Sequence, residues 1–192
     1  MFIKDWKKDV FTIPNLLSMI RLLLIPLYIV IYLNATEPRE FYIAGGILVV
    51  SCLTDMIDGQ IARRFHMISN LGKILDPIAD KMTQLALTVC LSIRYPLLRV
   101  VLLLFLCKEV FQAIAALIMF RRGKALPGAI LPGKICTTVL FVSFIAMVLM
   151  PDLDLRIANS IVTIDAIFLA YAFISYIFAF FGKNSKVEDF NG

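Results

Sequence analysis

Four carboxylates carry the first chemical signal in this sequence. Asp55 and Asp58 stand three residues apart, and Asp76 and Asp80 stand four apart. Either spacing puts both members of a pair on one face of an α-helix. The runs that hold them are otherwise rich in apolar residues. An ionised carboxylate at bilayer depth costs about 2 kcal/mol or more. Four of them also repel one another, so protonation or a cation must offset the charge. Facing each other, the two pairs offer the all-oxygen ligand set of hard divalent cations such as Mg²⁺, Mn²⁺ or Ca²⁺. Two such ions a few Å apart can clamp a phosphoryl group together with its leaving oxygen.

The residues around the acids extend the pattern. Gly59 lies one turn from Asp55, and Ala62 one turn from Asp58. Small side chains there let a ligand, or another helix, come close to the backbone. Arg63 follows one turn after Gly59 on the same face, where a guanidinium can fork onto a phosphate or snorkel to the interface. Gly72 opens the next helix, and Pro77 after Asp76 interrupts that helix's first hydrogen bonds.

The elements that must position these groups are membrane helices. The chain has 192 residues, 60% of them hydrophobic and 17% charged, with a mean hydropathy of +0.88. A soluble domain of this size would leave much of that apolar surface in water. A soluble enzyme, a disordered chain and a collagen-like fibre are therefore excluded. The apolar runs predict an all-α integral membrane protein with six spans, over about 14–33, 41–61, 71–93, 97–120, 130–150 and 157–181. Residues 1–12, with Trp6 at headgroup depth, read as an amphipathic juxtamembrane helix, and 182–192 as a polar tail. The whole of 1–192 is expected to form one membrane domain. The first span is too long for a signal-peptide core, and no small-x-small cleavage site follows it.

Charge sets the expected orientation. Eleven Lys and Arg fall in the N-terminal segment, the 63–73 connection, the 121–124 loop and the tail, against four in the opposite loops. The positive-inside rule then places both termini in the cytoplasm, in a multi-pass protein of the cell membrane. This also accounts for the net charge of +5 without nucleic acid, since no basic stripe is interleaved with aromatics. The four cysteines have no CxxC spacing and read as inert thiols. His66 reads as a loop histidine, and Asp165, alone in the last span, as a possible hydrogen-bond partner of a neighbouring helix.

The run Asp55-x₂-Asp58-Gly59-x₂-Ala62-Arg63-x₈-Gly72-x₃-Asp76-x₃-Asp80 resembles the signature of the CDP-alcohol phosphotransferases. The opening Thr12-Ile13-Pro14-Asn15-Leu16-Leu17-Ser18-x₂-Arg21 is similar to phosphatidylglycerophosphate synthases and the related cardiolipin synthases of that family. The resemblance covers nearly the whole chain.

It implies a metal-dependent displacement on CDP-diacylglycerol. An alcohol attacks the phosphorus attached to diacylglycerol, and CMP leaves. By that resemblance Asp55, Asp58 and Asp76 are metal ligands, with Mg²⁺ or Mn²⁺ as the cofactor, two ions in all. Asp80 is the general base and shares in the second ion. Asp55, Gly59, Ala62, Arg63 and Gly72 contact the nucleotide of the CDP-lipid.

The acceptor is expected to be glycerol 3-phosphate, whose phosphate needs a basic pocket. Arg21, Lys81, Lys108, Arg121, Arg122, Lys124 and Lys134 are its candidates, and Gly133-Lys134-x₂-Thr137 resembles a run of the phosphatidylglycerophosphate synthases. The uncharged run Ala113-Ile114-Ala115-Ala116 stands where those enzymes carry a further Arg. This keeps phosphatidylglycerol, and hence cardiolipin synthesis, as the alternative. A homodimer in contact with membrane lipids is implied as well. A cation transporter is the rival from another class, but it would need neither the Gly-x₂-Ala-Arg insert nor both acid pairs at one membrane edge.

Overall fold

The computed structural model describes residues 12–64, 72–121 and 130–181, with the side chains at 13–14, 55–64, 73–74 and 120 outside that description. The expected juxtamembrane helix before Thr12, the connection holding His66, most of the loop after Arg121 and the tail also lie outside it. Every described element is helical: α1 (Ile13–Asn34), α2 (Pro38–Arg64), α3 (Gly72–Arg94), α4 (Leu98–Arg121), α5 (Leu131–Leu149) and α6 (Leu155–Phe181).

Four of these helices are long and apolar enough to cross a membrane, over Asn15–Asn34, Leu98–Met119, Leu131–Leu149 and Leu155–Phe181. The protein is therefore a membrane protein. The other two, α2 and α3, carry the aspartates, and those charges dilute their apolar runs.

Local chemistry explains the ends of the helices. Thr12 has extended backbone (φ −96°, ψ 151°), and its hydroxyl accepts the Asn15 N–H at 3.4 Å, with Pro14 just inside α1. Pro38 opens α2. Glu40 in its first turn reaches back to accept the Thr36 N–H at 2.5 Å and the Glu37 N–H at 3.1 Å. Those bonds hold the Glu40 carboxyl below its usual range. A lowered carboxylate pKa stabilises the fold above the ordinary value, and that contribution fades as pH falls through the lowered one. Pro26 and Pro77 both lie inside helices that continue past them.

The chain divides into two compact units. The first holds α1, α2, α3 through Cys90, and residues 145–152. In it α1 packs along α2, and Leu24, Ile25 and Tyr28 of α1 meet Ile47, Leu48 and Ser51 of α2 and Thr83 and Ala86 of α3 around a small cleft. Tyr32 sits 5.6 Å from Tyr28 and edge-on to Phe41 at 5.5 Å, which closes the turn between α1 and α2. Gly45 permits a close approach, since a Cβ there would collide with the Leu149 side chain.

The second unit holds residues 91–144 and α6. Here α4 packs along α6, with Phe111 edge-on to Phe173 at 5.5 Å and to Phe180 at 5.8 Å. Gly133 of α5 lies against the Tyr176 ring of α6, where an added Cβ would stand 2.5 Å from the hydroxyl and 2.9 Å from the ring edge. Asp165 of α6 is fully buried (0% exposed), and the Ser143 hydroxyl of α5 donates to its Oδ1 at 2.9 Å. The lone acid of the last helix thus bonds to a neighbouring one.

These two contacts can be checked separately. Gly133→Val forces a branched side chain into a rigid ring and should destabilise the protein by roughly 1–3 kcal/mol. Ser143→Ala leaves Asp165 without that donor and should cost about 1–3 kcal/mol. Thermal unfolding in detergent reads both, and an unchanged midpoint in either variant would contradict the corresponding contact.

Candidate active site

The α3 pair begins near the N-terminal end of its helix. Gly72 is the first residue of α3 and is buried, and Asp76 and Asp80 follow one and two turns later. Asp76 is half-buried, while the Asp80 side chain is 57% exposed. Lys81 beside it is exposed. Thr83 and Ala79 lie on the buried side, and the Thr83 hydroxyl bonds back to the Ala79 carbonyl at 2.8 Å. One face of α3 therefore packs inward, and Asp80 stands at its open edge.

Both acids are gripped from α1. The Ser18 hydroxyl donates to Asp76 Oδ1 at 2.5 Å. Arg21 Nη1 donates to Asp80 Oδ1 at 2.6 Å in an ion pair. Asn15, Ser18 and Arg21 recur every three residues and are 1%, 0% and 2% exposed, so they form a polar stripe on the buried face of an apolar helix. Contact order gives the direction: 18 meets 76 and 21 meets 80, so α1 and α3 run the same way.

Asp55, Asp58, Gly59, Ala62 and Arg63 lie on the continuous helical backbone of α2, which runs to Arg64. Their side chains fall outside the described residues. Of the basic candidates for an acceptor, Lys108 of α4 is 6% exposed and donates to Glu109 at 2.5 Å, with its ammonium 5.6 Å from the Phe105 ring centre. Arg121, at the end of α4, and Lys134, in the first turn of α5, are exposed. The structure brings Asp76 and Asp80 together on one face of one helix. Lys81 is in the first unit, and Lys108, Arg121 and Lys134 are in the second.

The donor chemistry of the described pair suits a hard divalent ion. Both groups are carboxylates one turn apart, reachable from one side, and each has one oxygen already held by a protein donor. Among the described residues alone no group of three potential ligands is assembled. A full ligand set would need the α2 acids.

Sequence reasoning offered Arg21 to the acceptor phosphate and gave Ser18 no role, whereas the structure pairs Arg21 with Asp80 and Ser18 with Asp76. Their signal was present as three polar residues at a spacing of three in a helix that is otherwise apolar. What it lacked was a partner, which lies 58 and 59 residues further along the chain.

The model of the CDP-alcohol phosphatidyltransferase family matches residues 11–179. The chain belongs to that family. Its similarity to individual CDP-alcohol phosphatidyltransferases and their relatives divides between two names. It is 36% identical over 137 residues to a cardiolipin synthase (CMP-forming) of Streptomyces coelicolor, covering 70% of this chain and 64% of that protein. It is 36% identical over 123 residues to a cardiolipin synthase (CMP-forming) / mitochondrial hydrolase fusion protein of Schizosaccharomyces pombe, covering 63% of this chain and 19% of the fusion. It is 34% identical over 99 residues to a CDP-diacylglycerol–glycerol-3-phosphate 3-phosphatidyltransferase of Rickettsia typhi, covering 50% of this chain and 54% of that one. The chain thus spans between 19% and 64% of the length of these three relatives.

Proposed function

We propose that this protein transfers a phosphatidyl group from CDP-diacylglycerol to an alcohol and releases CMP. The observation that carries the reading is the Asp76–Asp80 pair, one turn apart on α3 and gripped by α1, in a chain that matches the family over 11–179. Asp55, Asp58 and Asp76, with a share from Asp80, hold Mg²⁺ or Mn²⁺. A bound divalent ion offsets the negative charge of the pyrophosphate and of the departing CMP. Gly59 and Ala62 keep the α2 face low enough for the nucleotide to lie against it, and Arg63 supplies donors to a phosphate. Asp80 stands at the exposed edge, where an acceptor can reach it. It takes the proton as the acceptor oxygen bonds to phosphorus and the bond from that phosphorus to the CMP oxygen breaks.

Glycerol 3-phosphate is the acceptor we favour, giving phosphatidylglycerophosphate, and Lys81, exposed beside Asp80 in the first unit, is the cation offered to its phosphate. The second reading uses phosphatidylglycerol and makes cardiolipin. It is supported by the names of the two relatives at 36% identity and by Lys108, which is buried against Glu109. All six helices span the cell membrane in this reading, as one catalytic domain with both termini cytoplasmic, and the protein works as a homodimer among membrane lipids.

Purified protein given CDP-diacylglycerol, Mn²⁺ and either acceptor should release CMP, and the faster acceptor names the reaction. No CMP with any alcohol would end the enzyme reading. Asp80→Asn should lower turnover by about 10²-fold or more while the protein still binds CDP-lipid. A wild-type rate would remove Asp80 as the base. Asp58→Ala should abolish the calorimetric signal of Mn²⁺ binding, and an unaltered isotherm would strike Asp58 from the ligands. Cysteines placed at residue 36 should be labelled from the outside of intact cells. Labelling only after permeabilisation would reverse the orientation.

A further inference from the structure

We propose that Ser18 and Arg21 of α1 are positioning residues that set the side-chain orientation of Asp76 and Asp80 for metal binding. The inference rests on the metal-dependent reading above and adds two residues to it. A carboxylate on a helix can turn about two side-chain bonds, and a hard ion needs its oxygens within a few tenths of an ångström of fixed places. Something must therefore stop Asp76 and Asp80 from turning. A donor to each of them comes from α1.

The geometry is specific. Ser18 is 0% exposed and has the shortest hydroxyl side chain, so its oxygen can reach only what lies directly against α1. It reaches Asp76 Oδ1 at 2.5 Å. Arg21 is 2% exposed and extends a long stem to Asp80 Oδ1 at 2.6 Å. Three residues advance α1 by about 4.5 Å and four advance α3 by about 6 Å. The longer arginine absorbs the difference. Fixing one oxygen of each carboxylate fixes the plane that holds the other, so both acids meet an ion in a chosen direction. Outer donors of this kind typically change metal affinity by roughly 10–100-fold when removed.

The opposing possibility is that the stripe only buries its polar groups in satisfied form. The two differ in what they predict for metal binding by folded protein. Binding of Mn²⁺, followed by the loss of the free-ion paramagnetic resonance signal, should weaken about 10-fold or more in Ser18→Ala. Affinity is read below the metal-free thermal midpoint of each variant, so any stability lost with the Ser18–Asp76 bond does not enter it. The Mn²⁺ concentration for half-maximal CMP release should rise in parallel, with kcat at saturating Mn²⁺ changing less. Ser18→Thr and Ser18→Val have nearly the same shape and differ in the hydroxyl. Thr should retain Mn²⁺ affinity and Val should lose it, which keeps the test sound if the Ala variant folds poorly. Arg21→Lys keeps the charge but loses the planar fork, and should bind Mn²⁺ more weakly than wild type.

Wild-type Mn²⁺ affinity in folded Ser18→Ala, or equal affinity in the Thr and Val variants, overturns the positioning role. If the wild type still makes CMP with Mn²⁺, that result leaves the proposed activity standing. A wild type that binds no Mn²⁺ and makes no CMP removes both.

Discussion

A charge buried in a membrane helix needs a polar partner, and the ion pair between Arg21 and Asp80 supplies one across two helices here. Arg21 is almost wholly buried, yet its partner is more than half exposed. The pair thus joins an inner, packed face of the first unit to an outer, accessible edge. The Ser18–Asp76 bond lies on the same two helices and runs in the same order. Together they fix which face of α3 is turned toward α1, and hence which face of α3 the acids occupy. The packing of Leu24, Ile25 and Tyr28 against α2 and α3 completes that arrangement.

The second unit solves the same problem differently. Lys108 and Glu109 are sequence neighbours and pair within α4. Asp165 takes a hydroxyl donor from α5 rather than a cation. Aromatic rings between α4 and α6 and the Gly133–Tyr176 approach supply the remaining cohesion. Small residues and edge-on rings suit an apolar surrounding, where burial from water cannot drive association and close contact must.

Much of the helical plan was legible in the sequence, because apolar runs broken by Pro, Asn and Arg leave few choices. The first helix was expected over 14–33 and runs Ile13–Asn34; the fifth was expected over 130–150 and runs Leu131–Leu149. The second begins three residues earlier and ends three later than expected, at Pro38 and Arg64. Hydropathy ignores the proline start and the Glu40 carboxylate that folds back over it. At the other end, polar residues were read as loop although the helix carries them onward. The spacing of the aspartates was legible from local periodicity, and on α3 it holds. The grip of α1 on them was not, since no periodic pattern links residues 18 and 76. The Ser143 partner of Asp165 was hidden for the same reason.

The separation between Arg21 and Asp80 along the chain has a consequence for how the protein is made. The two are 59 residues apart, whereas Lys108 meets its acid on the very next residue. During synthesis α4 therefore enters the bilayer carrying both halves of its pair. The first helix enters with a guanidinium whose Asp80 partner follows 59 residues later. The bonds from Ser18 and Arg21 to α3 form only once α3 has arrived, and they bring Asp76 and Asp80 into register. Seating of the first helix and alignment of the acidic edge of α3 are thus one step of assembly.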